Sequence, residues 1–247
     1  MNCFRFFLKT IMLSSVFLPA ALFAQEEGPY AEPTVSFYDK VNNEFVEMKP
    51  DESKSTNAPC DITCTANLVY DDDVFDKVFY EWKIYKTEEG ETKPLVDRFD
   101  ENTTYTLTES GGYNIKFIPT FINSEANDTI ADKEYVFSIV ISESKLTCTD
   151  FLSPNDDFKN DKLVIEYKSL VKVEGYILNR WGKKLHTITL ENIGEGWDGK
   201  VNGKPVKDGA YLLYIDAVGS DGLHYKIKKA INVLKGYRED ADSSPES

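Results

Sequence analysis

The chain predicts an all-β fold: two tandem antiparallel β-sandwiches behind a cleaved signal peptide. Three observations predict it. Almost every periodic segment has period two, those segments are rich in aromatic and β-branched residues, and clusters of Gly, Asn and Asp separate them. No long helical stripe competes. Many short strands divided by turn chemistry make sandwiches.

Residues 1–24 form the expected signal peptide. Arg5 and Lys9 make a basic start, and Thr10 to Ala24 is apolar and nearly free of charge, but short for a membrane span. Cleavage is expected after Ala24. No cysteine follows the apolar run, so no bacterial lipid anchor is expected at this terminus. No later stretch is long and apolar enough for a spanning helix.

Charge then separates two units. Residues 25–149 hold 26 acids and 11 bases, a net −15, whereas residues 150–235 hold 12 acids and 14 bases, a net +2. The acidic first unit argues against nucleic-acid binding, which needs clustered Lys and Arg on phosphates. The expected division is a signal peptide (1–24), a first sandwich with an N-terminal extension (25–148), a second unit (149–235) and an acidic disordered tail (236–247).

In the first sandwich, Val78, Tyr80, Trp82 and Ile84 alternate with Phe79, Glu81, Lys83 and Tyr85. Ile62, Cys64, Ala66 and Leu68 alternate with Asp61, Thr63, Thr65 and Asn67 in the same way. Trp82 is placed as the core Trp on the third strand of an immunoglobulin-like domain, and Gly111-Gly112-Tyr113 opens a later strand as a tyrosine corner does. Ala58-Pro59, Tyr80-Glu81-Trp82 and Gly112-Tyr113-Asn114-Ile115 give the unit a resemblance to the PKD-type, immunoglobulin-like modules of bacterial surface proteins. Ile115 stands where an antibody domain would have its second cysteine.

The mature chain keeps Cys60, Cys64 and Cys148, an odd number that implies one bridge and one free thiol, or an intermolecular bond. Cys60 opens the second strand at the pole where the last strand ends, and Cys148 lies just past that last strand. Cys64 sits roughly 13 Å further along at ~3.3 Å per residue, beyond the ~7 Å that a bridge tolerates between Cα atoms. A Cys60–Cys148 disulfide is therefore expected, with Cys64 as a core thiol.

The second unit carries four motifs in order. They are Phe151 to Asp161 (FLSPNDDFKND), Asn179-Arg180-Trp181-Gly182, Trp197-Asp198-Gly199, and Asn202-Gly203-Lys204-Pro205 followed by Asp208-Gly209-Ala210-Tyr211. Together they resemble the gliding motility-associated C-terminal domain of Bacteroidetes, the type B sorting signal of type IX secretion. The resemblance implies a small immunoglobulin-like sandwich recognised by the outer-membrane secretion machinery, usually with a dedicated barrel partner, and a protein released or held at the cell surface after periplasmic passage. Two departures stand out. Asp156 and Phe158 replace the family's opening glycines, and Gly236 to Ser247 extends the chain past the last strand. The three Asp-Gly and Asn-Gly pairs between Asp198 and Gly209 are read as tight turns at positive φ rather than as a phosphate cradle. Trp197 is expected to pack on the sandwich near Trp181.

Catalytic and metal chemistry is not expected. Asn155, Asp157, Asp161 and Glu166 only loosely follow a calcium loop, since Lys159 takes a ligand position and the turn glycine is missing. Asp71-Asp72-Asp73 reads as a solvated turn. Three cysteines without paired spacing and two histidines, His186 and His224, do not make a structural zinc site, and neither histidine sits in a nucleophile motif. No cofactor and no enzymatic activity are expected. Phe79 and Tyr85, on the outward face of the third strand, are candidate binding aromatics for a surface glycan or a protein ligand. Asp128-Thr129-Ile130 matches the O-glycosylation pattern associated with Bacteroidetes, which makes Thr129 a candidate acceptor. The function expected is an exported, non-enzymatic surface or secreted protein with a sorting and attachment module behind a binding or spacer module. The alternatives are a structural accessory of the secretion or gliding apparatus docked on a barrel, and a carbohydrate-binding surface protein.

Overall fold

The computed structural model describes residues 28–40, 42–90 and 92–235. The expected signal peptide and acidic tail lie outside the described residues.

Alternation becomes strands as expected. The first unit contains β1 (Tyr30–Ala31), β2 (Thr34–Asp39), β3 (Glu44–Met48), β4 (Ser53–Thr56), β5 (Cys60–Thr65) and β6 (Leu68–Val69). It continues with β7 (Lys77–Lys86), β8 (Val96–Arg98), β9 (Asn102–Leu107), β10 (Gly111–Asn123), β11 (Asp128–Ala131) and β12 (Tyr135–Ile141). One sheet runs β3-β2-β5-β9; the facing sheet runs β4-β12-β10-β7-β8, with β11 on the far half of β10. Every second residue of β10 and β12 is inside: Tyr113, Ile115, Phe117, Pro119 and Phe121 from one, Tyr135, Phe137, Ile139 and Ile141 from the other. Trp82 lies opposite Phe117 in register, and their rings stack with centroids 4.1 Å apart. The Tyr113 hydroxyl donates to Glu109 O at 2.9 Å, closing the tyrosine corner.

The second unit contains β13 (Lys145–Cys148), β14 (Phe151–Leu152), β15 (Ile165–Lys168), β16 (Leu170–Leu178) and β17 (Lys184–Thr189). After these come β18 (Lys200–Val201), β19 (Lys204–Pro205), β20 (Gly209–Gly219) and β21 (His224–Val233). A five-stranded sheet, β14-β21-β20-β16-β17, is accompanied by the pair β13-β15 and the small hairpin β18-β19. Leu152, Leu163, Ile177, Ile188, Trp197, Leu213, Ile215 and Ile231 form a core separate from the first. Both units are thus all-β sandwiches.

Two expectations need correction here. Residues 145–148 pair with β15 and pack on the second core, so the second unit begins four residues earlier than the expected 149. The Cys60–Cys148 disulfide is not formed; among the described residues Cys60, Cys64 and Cys148 are free thiols. Cys60 belongs to the first core, together with Cys64, whereas Cys148 packs against the second and points its thiol at Thr149 O, 3.3 Å away. Burial pushes the Cys60 and Cys64 thiols up to about 12, so both stay protonated and unreactive in the folded chain.

A polar seam joins the sandwiches. Ser144 donates its N–H to Asp221 Oδ2 at 3.0 Å and its hydroxyl to Oδ1 at 2.6 Å, and lies 2.8 Å from the Tyr225 hydroxyl. Ser110 N–H donates to Ser220 O at 3.0 Å, and the Ser220 hydroxyl donates to Ser142 O at 3.1 Å. The buried Ser169 hydroxyl accepts from Ala58 N–H at 3.2 Å and donates to Asn57 Oδ1 at 3.4 Å. Val171 of the second unit packs on the first core. A Cβ on Gly219 would meet Ser144 Oγ at 2.0 Å, so only glycine allows this approach.

At the other end of the first sandwich, Tyr135 fixes β1. Its hydroxyl reaches Ala31 O and Asp132 Oδ2, both at 2.7 Å, and tethers β1 to the core. Burial, then the bond to Asp132, pushes this phenol from 10.0 up to about 12. Because the folded state holds the proton more tightly, the stability from this group is whole below pH 10 and is lost as pH rises from 10 towards 12. Tyr135→Phe is expected to cost about 1–2 kcal/mol at neutral pH and to make the alkaline decline shallower. Denaturant unfolding across that pH range checks it; identical slopes for the two proteins would contradict it.

Candidate functional site

The motif residues of the second unit gather at the end of the sandwich away from the seam. The seam lies at Ser169, Gly219 and Asp221; the opposite pole carries the β16–β17 turn, the start of β20 and the end of β21.

The turn is built by Asn179 and Gly182. The Asn179 side-chain oxygen accepts the N–H groups of Trp181 and Lys183 at 3.0 and 2.9 Å, and Gly182, at φ 78°, donates to Asn179 O at 2.9 Å. These two residues close the hairpin and leave Arg180 and Trp181 at its tip. Trp181 is 76% exposed, with the Arg180 guanidinium carbon 4.4 Å from its ring centroid.

Trp197 has the opposite fate. It is 2% exposed, bridges to Leu163 through the backbone, and donates its indole N–H to Lys200 O at 3.1 Å. Its ring meets Tyr211 edge-on at 5.8 Å and His186 at 6.5 Å. The expected neighbourhood with Trp181 is therefore replaced by one with Tyr211 and His186. Burial holds the His186 imidazole below its ordinary value, which keeps it neutral beside the indole. Asp198 accepts from Lys200 N–H at 3.0 Å, and Gly199, at φ 71°, accepts from Val206 N–H. Asn202 and Gly203, at φ 51° and 75°, make the two-residue turn between β18 and β19. These glycines turn strands.

Asp208 and Gly209 lead into β20, and the Tyr211 hydroxyl donates to Lys207 O at 2.6 Å. This is a second tyrosine corner, with the same four-residue reach as Tyr113. Ser110-Gly111-Gly112-Tyr113 and Asp208-Gly209-Ala210-Tyr211 are related signals, with Gly111 and Gly209 both at positive φ. Between the hairpin tip and this corner lies an open cleft of about 470 Å³, lined by Arg180, Trp181, Leu185, Val206, Asp208 and Tyr211. Arg180, Lys183, Lys184 and Lys207 give the pole a basic character, relieved by Asp208, which lies 3.8 Å from Lys235.

The opening segment of the unit is a tight acidic loop. One Asp161 carboxylate oxygen accepts the N–H groups of Asn155 and Asp156 at 2.9 Å, and the other accepts that of Phe158 at 2.8 Å. Asp156 and Phe158, at φ 60° and 67°, adopt the left-handed conformation that glycine takes without strain. Phe158 is 97% exposed. The Asp161 oxygens are thus already engaged in holding the loop.

The candidate residues of the first unit do not converge. Phe79 and Tyr85 share the outward face of β7, but they are six residues, about 20 Å, apart along the strand. Phe79 is exposed, whereas Tyr85 is half-buried under Lys116. Thr129 is exposed on β11, which pairs with β10. Aromatic residues outside the sequence candidates, Tyr30, Tyr70 and Phe75, do come together at the free pole of this sandwich. Their signal was the β6 to β7 loop, where apolar residues interleave with aspartates.

Residues 146–233 match the family model described as CHU_C Type IX secretion signal domain, about a third of the chain. No curated protein matches the sequence. Among solved structures, the chain is similar to the FN1–FN3 domains of chicken CNTN1, with 10% identity, TM-score 0.30, and 85% of this chain and 91% of that one covered. It is also similar to dimeric latent PorU from Porphyromonas gingivalis (11%, TM-score 0.25, 88% and 21%). A third is a Bacteroides ovatus mixed-linkage glucan utilization locus protein, SGBP-B, in complex with a heptasaccharide (13%, TM-score 0.28, 84% and 48%). The four ordered motifs of the second unit, placed on one small sandwich, all lie within the stretch that matches the CHU_C Type IX secretion signal domain.

Proposed function

We propose that this is an exported, non-enzymatic protein of the cell surface or extracellular space. Its second sandwich is the sorting and attachment module, read by the outer-membrane secretion machinery or a dedicated barrel protein. Its first is the binding or spacer module that is carried out. The observation that carries the reading is the split between the two motif tryptophans. Trp197, Asn179, Gly182, Gly199 and Tyr211 each have a structural task, but Arg180 and Trp181 have none. An exposed Trp–Arg pair beside an open cleft is the composition of an interaction hot spot. It also stands at the pole furthest from the seam, where a partner meets no obstruction from the first sandwich.

Removing residues 145–247 is expected to leave the truncated chain in the periplasm while other type IX cargo is secreted normally. A general secretion defect would instead assign the protein to the apparatus itself, as a structural accessory. Point substitutions sharpen the test. Trp181→Ala is expected to leave thermal unfolding of the purified protein unchanged and to abolish surface appearance. Trp197→Ala is expected to destabilise the second sandwich by about 3–5 kcal/mol. Normal export of Trp181→Ala would remove the hairpin tip from the recognition surface.

A further inference from the structure

The free pole of the first sandwich carries a cleft that neither the core nor the seam explains. It measures about 720 Å³ and is lined by Tyr30, Val69, Tyr70, Val74, Phe75 and Ile130. Tyr70 and Phe75 rest on the buried Phe121 ring, with centroids 5.5 and 5.9 Å away, so the loop that carries them is held in place rather than loose. The same loop turns through Asp71, whose carbonyl accepts the N–H groups of Val74 and Phe75. This fixes Val69, Tyr70 and Val74 at 44, 39 and 44% exposure beside one another.

The rim is acidic. Asp71 and Asp72 line the cleft, and Asp73 lies within 4.8 Å of both. Among the described residues, none of the three has a Lys or Arg within ion-pair distance. The nearby Lys77 faces Asp76, 3.9 Å away, and Lys133 lies over the Tyr135 ring. Three adjacent carboxylates without a counter-charge, set around aromatic faces and aliphatic side chains, attract one kind of side chain best. An ammonium or guanidinium head is drawn both to carboxylates and to the face of an aromatic ring, and the methylene stem behind it is buried favourably on Val69, Val74 and Ile130. A neutral sugar would satisfy the rings but leave the charge uncompensated. The wider field has the same sign, since residues 25–149 carry a net −15, which steers a cationic partner to this unit.

We propose that this cleft is a docking site for a basic polypeptide segment, whose Lys and Arg side chains enter between Tyr30, Tyr70 and Phe75 with their heads on Asp71, Asp72 and Asp73. The first sandwich is then a binding module in its own right, whether or not the second directs export.

The test uses the purified protein and a fluorescein-labelled peptide of alternating Gly, Lys and Arg, titrated by fluorescence anisotropy at low and high salt. Saturable binding that weakens with salt is expected. It should fall about tenfold or more in the triple variant Asp71→Asn, Asp72→Asn, Asp73→Asn, and several-fold in Tyr70→Ala. A control triple variant removes the same charge elsewhere, through Asp97→Asn, Glu109→Gln and Glu166→Gln, and should bind as the parent does. Thermal unfolding verifies that all variants are folded. Equal weakening by the control variant would reduce the effect to net charge and overturn the proposal. So would an unchanged Tyr70→Ala, displacement of the peptide by micromolar calcium, saturable binding of cellohexaose in the peptide's place, or self-association of the chain through this cleft.

Discussion

The seam between the sandwiches is the constraint on which the rest of the molecule depends. It is made of small polar side chains and backbone, not of a large apolar contact. Ser142, Ser144, Ser169 and Ser220 let the two backbones approach closely, and the hydroxyls of Ser144, Ser169 and Ser220 pair with groups, the Ser142 carbonyl among them, that the approach would otherwise strip of water. Gly219 removes the one Cβ that would stand in the way. The seam uses one pole of each sandwich, so each unit is left with one free pole, at opposite ends of the chain's path.

Those two free poles differ in chemistry. The free pole of the first sandwich combines aromatic rings with uncompensated carboxylates; that of the second combines an exposed indole with Arg and Lys. The same charge asymmetry is visible in the sequence, where a net −15 gives way to +2. A connection between unlike ends fits the proposed reading, in which one end is held and the other binds.

Much of the fold could be read from the sequence because its cause is local. Period-two alternation around Trp82 and Ile62 places side chains on two faces regardless of topology, and the Gly-Gly-Tyr signal closes its corner over four residues. The second corner, at Tyr211, has the same form but was hidden among the turn signals around it. What failed depended on long-range pairing. Residues 145–148 read from the sequence as the end of the first unit; their pairing with β15 places them in the second, and with them Cys148. Likewise both motif tryptophans suit a core, and only the Asn179–Gly182 turn shows that Trp181 sits at a hairpin tip. The aspartates near Tyr70 read as a solvated turn because Tyr30, Phe75 and Ile130, which complete the cleft, come from distant segments. Phe158 is a different case. The sequence shows a missing glycine, and the backbone keeps the glycine conformation in spite of the ring.

The central claim is that the seam makes one rigid body with two free ends. Residual dipolar couplings from backbone amides of the two sandwiches measure this most directly. A rigid seam predicts that the couplings of both units fit a single alignment tensor in the orientation described, and that Gly219→Ala splits them into two. Two tensors of unequal magnitude in the unsubstituted protein would contradict the account.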